Sequence, residues 1–311
     1  MKNIIILLLF TIGTVIPITK YNYPARKRTL VLIDNALLYM THSRFFDHLR
    51  EQGHQLSIQH VSTVMLSRGD INLHKDKEWL YDNLFIFCTG IEIYQQSKDF
   101  NIQQFYDAGN NIFFVFDTFT SKTFRDLANT FGIDIHPEES QLVDYHHALD
   151  ITQPHIFQAW QFGDNPLAAE GVNGPIIYNG VGMSDTYYQN EQFITFMRGN
   201  VQTASIDRRI GATKRYHKMG RHNQLALGIQ GLNNARALAV GSLDMLSNEL
   251  IQKSEGQNLK YVSNLVDWVS HGRGILRKVS SSYSCIDKEG NDSDCPVRTQ
   301  FRYSIEVRIK Y

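Results

Sequence analysis

Four short runs of this chain are apolar almost without interruption: Leu30 to Ile33 (closed by Asp34), Leu84 to Cys88, Ile112 to Phe116, and Arg236 to Val240 behind its arginine. A strand with one face in water alternates apolar and polar residues, so such runs belong to strands covered on both faces, as in parallel sheets. Segments of helical period lie between them. Phe45, Phe46 and Leu49 share a face, with Thr41 as the expected cap and Gly53 as the stop. Asn101-x-x-Gln104 has the form of a capping box before Ile102, Phe105 and Tyr106, closed by Gly109. Phe124, Leu127 and Phe131 form another apolar stripe, with Gly132 as its stop. Gln55 to Val61 alternates through Leu56 and Ile58 and reads as a half-exposed strand. This alternation predicts the α/β class: an open, mostly parallel sheet of Rossmann or flavodoxin-like type with helices on both faces.

After Arg236–Val240, Gly241-Ser242 makes a tight exit, and Leu243, Leu246 and Leu250 stand at helical spacing. Ser242 is the expected N-cap, and Asp244 falls in the first turn, where the helix dipole favours a negative charge. A last helix is expected from Val262, Leu265, Val266 and Val269, stopped by Gly272. Residues 133–223 are less regular and read as loops and short strands decorating the sheet, before Gln224 to Gly231 resumes as a strand.

In order and spacing, four blocks carry a resemblance: TLVLIDN (29–35) with the THSRFFDHL after it, YDNLFIF (81–87), NGVGM (179–183) and NNARALAVGSLDMLSNEL (233–250). They are similar to the 48 kDa subunit family of the eukaryotic oligosaccharyltransferase, over roughly residues 29 to 280. The resemblance implies a subunit on the lumenal side of the endoplasmic reticulum membrane. Its complex transfers a preassembled oligosaccharide from dolichyl diphosphate to Asn in Asn-x-Ser/Thr. The chemistry there belongs to a different, multi-spanning subunit; this one stabilises the assembly and helps to position the lipid-linked donor. The implied partners are the other subunits, with no cofactor.

Residues 1–23 suit that compartment. Lys2 precedes an apolar stretch from Ile4 to about Ile18, the length of a signal-peptide core and short of the roughly 20 residues of a spanning helix. An uncleaved anchor is the alternative. The lumenal α/β domain is then expected over 24–281. Cys285 and Cys295 flank a polar loop that suits a local disulfide in an oxidising compartment, and Asn291-Asp-Ser293 within it is a glycosylation sequon. Residues 282–311 read as the start of a β-rich region. Tyr303, Ile305, Val307 and Ile309 alternate with polar residues, and only Ser280–Cys285 lies near enough to pair with them. The resemblance implies a continuation into more strands and one membrane-spanning helix, so the chain reads as a truncated form or an incomplete gene model.

Lysine plus arginine equals aspartate plus glutamate at 31 each, so no overall field draws the chain to nucleic acid. Several strands end in functional groups: Asp34-Asn35, Cys88, Asp117 and, after the last, Asp244. In a parallel sheet these line one rim. The alternative to a non-catalytic subunit is a secreted hydrolase or amidase using Asp34, Cys88, Asp117 and Asp244 there. Cys88-Thr-Gly90 has part of a nucleophile elbow but lacks the preceding glycine, since position 86 is Ile. Asp144-Tyr-His-His147 offers metal-type donors without a second cluster at ligand spacing, so no metal is expected. Gly180-Val-Gly182 lacks the rest of a dinucleotide fingerprint.

Overall fold

The computed structural model describes residues 27–62, 71–76, 78–90, 101–163, 165–185, 192–208, 216–286, 292–293 and 300–310. Strand β1 (Arg28–Ile33) leads through two short helices, α1 (Leu38–Thr41) and α2 (Ser43–Glu51), to β2 (Gln55–His60). A small hairpin of β3 (His74–Lys75) and β4 (Glu78–Trp79) precedes β5 (Asn83–Phe87). Then come α3 (Ile102–Asp107), β6 (Asn111–Val115) and α4 (Lys122–Thr130). The middle of the chain is built from short pieces: β7 (Ile133–Ile135), β8 (Ser140–Val143), β9 (Phe157–Ala159), β10 (Gln161–Phe162), α5 (Pro166–Ala169), β11 (Ile176–Tyr178), β12 (Met183–Asp185), β13 (Phe193–Arg198), β14 (Ala204–Asp207) and β15 (Tyr216–Met219). Longer elements return with β16 (Gln224–Gln230), β17 (Arg236–Val240), α6 (Asn248–Lys253) and α7 (Gln257–Val269). The remaining strands are β18 (Ile275–Ile286), β19 (Asp292–Ser293) and β20 (Gln300–Lys310).

The main sheet runs β10-β13-β16-β17-β6-β5-β1-β2. Five strands, from β17 to β2, are parallel; β16, β13 and β10 extend the sheet antiparallel, and β12 and β7 join it beside β16. The class is therefore mixed α/β with a mainly parallel centre, and its antiparallel share exceeds the expectation. The cause is local. β16 and β17 are joined by the short turn Gly231 to Ala235, and a tight hairpin can only connect antiparallel strands.

Side-chain alternation divides the core in two. Val31, Ile33, Phe85, Phe87, Phe113, Val115, Leu238 and Val240 face Phe45, Phe46 and Leu49 of α2 and Val262, Leu265, Val266 and Val269 of α7. Leu30, Leu32, Leu84, Ile86, Ile112, Phe114, Ala237 and Ala239 face Ile102 and Phe105 of α3 and Phe124, Leu127 and Ala128 of α4. Both faces are covered, which is why the strands can be apolar throughout. Each phenylalanine enclosed this way contributes about 1.5–3 kcal/mol.

Three expectations are corrected. Thr41 does not cap α2; its hydroxyl donates to the Leu37 carbonyl oxygen at 3.1 Å, one turn back, and α2 has no side-chain cap. The stretch Leu243–Leu250 is not one helix. Ser242 Oγ accepts from the Met245 N–H at 3.0 Å and caps a single 3-10 turn, Asp244–Leu246. Ser247, extended at ψ 151°, then caps α6 by accepting from the Leu250 N–H at 3.2 Å. A second serine able to bond its own downstream backbone breaks the helix in two. Finally, the alternating strand near the end of the chain has a long partner: β20 pairs antiparallel with β18 from Ile275 through Ile286.

Candidate functional site

β1, β5, β6 and β17 run in one direction and in register, so their carboxyl ends meet along one edge, where ligands of open α/β sheets bind. All four carboxyl ends carry the residues singled out above. After β1, Asp34 Oδ2 accepts the Gly90 N–H at 2.7 Å and ties the exits of β1 and β5 together. Asn35 turns inward on its own loop, its Oδ1 accepting the Leu37 N–H at 2.9 Å. After β5, Cys88 is wholly buried, and burial, with the nearby Asp34 charge, pushes its thiol pKa well up. A thiol that is neither accessible nor ionised is not a nucleophile.

After β6, Asp117 Oδ1 accepts the Thr118 N–H at 2.6 Å and the Thr118 hydroxyl at 3.2 Å. Burial raises its carboxyl above the ordinary value; the Thr118 N–H opposes this and the charge of Asp244 adds to it. The two carboxylates from β6 and β17 thus sense one another. After β17, Asp244 Oδ2 accepts from Asn179 Nδ2 at 2.7 Å, Asn179 Oδ1 from Gln141 Nε2 at 2.9 Å, and Gln141 Oε1 from Arg208 Nη1 at 2.5 Å. This relay links an acid on the rim to a cation at its margin. His155 stands in the same field: burial and Arg208 lower its pKa, and Asp244 counters them.

Backbone contact between two glycine-containing loops holds the relay in place. A Cβ on Gly180 would lie 2.1 Å from the Gly241 carbonyl oxygen, and one on Gly241 would lie 2.2 Å from that of Val181. Only glycine permits that approach. The Val181 N–H donates to Gly241 O at 2.8 Å, and Ser242 Oγ donates to Asn179 O at 2.6 Å. Ser242 is therefore occupied both as donor and as acceptor. The glycines of NGVGM serve close packing onto the exit of β17.

Asp144 and His147, read as metal-type donors, form a loop staple instead. Asp144 is buried and accepts from the backbone N–H of His146 and His147, the His147 ring, Asn200 and Thr203. No group of three or more metal-type side chains gathers among the described residues. Cys295 and Asn291 lie outside the described residues, and Cys285 is placed only as a backbone position in β18, opposite Phe301 and Ser293. Sequence reasoning singled out the acids and missed their amide partners. Gln141 and Asn179 carry no motif; the one clue was that Asn179 opens a block whose glycines demanded a close neighbour.

The model of the OST48 N-terminal domain family matches residues 22–271. The chain belongs to that family. Among curated relatives it is similar to the dolichyl-diphosphooligosaccharide–protein glycosyltransferase 48 kDa subunit of Danio rerio, 30% identical over 273 residues, covering 80% of this chain and 59% of the relative. The subunits of the same name from Arabidopsis thaliana and Caenorhabditis elegans are each 24% identical, covering 91% and 80% of this chain and 68% and 59% of theirs. The chain thus spans about three fifths of the zebrafish and nematode relatives. Among solved structures, the mmIFT52 N-terminal domain aligns with a TM-score of 0.55 at 10% identity, over 78% of this chain and 97% of that one, a likeness of fold alone. In this OST48-family chain the four resembling blocks meet in space: β1, β5 and β17 with their exits, and the 179–183 loop packed on β17.

Proposed function

We propose that the chain acts as a non-catalytic subunit of the oligosaccharyltransferase complex, on the lumenal side of the endoplasmic reticulum membrane, in protein N-glycosylation. The observation that carries this reading is family membership over 22–271 in a fold whose strand-end rim has its candidate nucleophiles sealed or occupied. The relatives' name supports assembly with the other subunits, including the multi-spanning one that performs the transfer. In this reading residues 1–23 are the signal peptide, 24–281 the lumenal domain and 282–311 the start of a β-rich region. Cys285 pairs with Cys295, Asn291 is glycosylated, and the rim faces a partner or the lipid-linked donor. The parallel strand order β2-β1-β5-β6-β17 supports treating that half as a flavodoxin-like doubly wound unit.

The test is affinity purification of a tagged full chain from microsomes. Co-purification with a catalytic subunit and with glycosylation of a sequon peptide is expected, together with protection of the domain from added protease until detergent is present. Recovery as a lone cytosol-facing protein would overturn the proposal.

A further inference from the structure

Away from the strand-end rim, the turns after β9, β13 and β15 carry three exposed apolar side chains. Trp160, Val201 and Met219 have 47%, 66% and 55% of their surface in solvent. Their backbones are in contact. The Trp160 N–H donates to Asn200 Oδ1 at 3.1 Å, the Gly220 N–H donates to Thr203 O at 2.7 Å, and a Cβ on Gly220 would lie 2.9 Å from Val201 O.

A buried polar network underlies them. Asn200 Nδ2 donates to Asp144 Oδ2 at 2.9 Å and to Gln158 O at 2.8 Å; Asn223 Nδ2 donates to Gly220 O at 3.1 Å and Thr203 O at 3.3 Å. Satisfied buried networks hold their members in one arrangement. The three apolar tips are thus presented by ordered turns.

Cations frame them. Lys218, Arg221 and His222 flank Met219 in sequence, and none of their side chains has a hydrogen-bond or ion-pair partner among the described residues. Arg28, Arg50, Arg125, Lys253 and Arg273, by contrast, are each paired with an acid. In sequence, 208–222 holds six lysines and arginines and no acid, in a chain whose charges otherwise cancel.

We propose that this corner docks on an anionic phospholipid surface. Trp160, Val201 and Met219 enter the headgroup layer, and Lys218 and Arg221 meet the lipid phosphates. Indole rings partition to membrane interfaces, and basic side chains beside them are drawn to anionic headgroups. An acidic protein would satisfy the same cations. However, apolar anchors at protein interfaces fill matched pockets, whereas three tips on separate turns suit a bilayer, which needs no matching shape. The inference does not rest on membership of the complex.

The experiment is flotation of the full chain with vesicles of phosphatidylcholine alone and of phosphatidylcholine with phosphatidylserine. The apolar stretch from Ile4 to Ile18 is common to every variant, so the reading is the anionic-dependent increment and its loss. Lys218→Gln and Arg221→Gln should each lower that increment about fivefold, equivalent to roughly 1 kcal/mol per cation near the surface, and added salt should do the same. Brominated lipid should quench a tryptophan emission in the parent that Trp160→Phe lacks. Because all these positions are exposed, thermal melts should match the parent. Equal binding to both vesicle types, or an increment indifferent to Lys218, Arg221 and Trp160, would overturn the proposal. No vesicle binding, with the lysine and arginine variants instead lost from a purified complex, would overturn it in favour of an acidic protein surface.

Discussion

Asn111 Nδ2 donates to Asn83 Oδ1 at 3.0 Å, joining the first residues of β6 and β5, which stand opposite one another in register. The bond is one rung of a buried ladder across the amino-terminal edge of the parallel strands. Asn83 Nδ2 donates to Thr29 Oγ1 of β1 at 3.1 Å, and Asn111 Oδ1 accepts the Arg236 N–H of β17 at 3.1 Å and His271 Nε2 at 3.1 Å. The Arg236 guanidinium continues the connection, donating to the carbonyl oxygens of Trp268, Arg273 and Gly274 while lying 4.9 Å from the Trp268 ring centre. One edge of the sheet is thereby pinned by side chains, leaving the opposite edge for the rim.

Replacing Asn111 with alanine removes the bonds to Asn83, Arg236 and His271 from a fully buried position. The expected loss is roughly 2–4 kcal/mol, since buried polar groups deprived of partners lose their desolvation compensation. The urea midpoint of the variant reads it directly. A midpoint equal to the parent's would show that the ladder carries no stability.

The same edge makes stability depend on pH. His54 Nδ1 lies 3.0 Å from Thr29 Oγ1, its Nε2 is buried without a partner among the described residues, and burial with the Lys27 charge pushes its pKa down to about 4. A folded-state pKa below the unfolded value of about 6.5 means that the unfolded chain takes up the proton first. Stability is complete above about pH 6.5 and falls as the pH drops towards 4, by roughly 3 kcal/mol in all. His54→Phe should flatten that portion of the curve measured by denaturation at stepped pH. The buried His42, also lowered chiefly by burial, acts in the same sense and remains in the variant. An unchanged slope in His54→Phe would refute the assignment.

Gly180 and Gly256 separate two reasons for glycine. Gly256 has φ +86° with nothing within 4 Å of a built Cβ, so Gly256→Ala meets only backbone strain, about 1 kcal/mol. Gly180→Ala would place a methyl 2.1 Å from Gly241 O and force the two loops apart, costing roughly 3 kcal/mol. Thermal melts of the pair should rank them in that order. The reverse ranking would mean that the loops have room to give.

Asp244→Asn tests the coupling across the rim. Removing its charge takes away a contribution that raises the Asp117 carboxyl and one that raises His155. Both pKa values should move down in NMR titrations, Asp117 staying above its ordinary value because burial dominates there. Movement of either upward would break the electrostatic account of the site.

The strands and their class were legible because a strand covered on both faces leaves a local mark, a run such as Ile112 to Phe116 with no polar residue. Helix stripes and glycine stops were legible for the same reason, as were the acids at strand ends, whose placement on one rim follows from parallel order alone. Other features depended on partners far along the chain. Ser242 and Ser247 both had capping chemistry, and the backbone at Ser247 decided that the helix would break there. Asn83 and Asn111 are 28 residues apart and look like mere strand beginnings until register sets them opposite one another. Asn179 reaches Asp244 across 65 residues, through a loop that only two facing glycines allow to close. Periodicity and turn chemistry act over a few residues and are written in order along the sequence. Register, loop contact and the burial that sealed Cys88 depend on which distant segments fill the same space, and tertiary packing decided them.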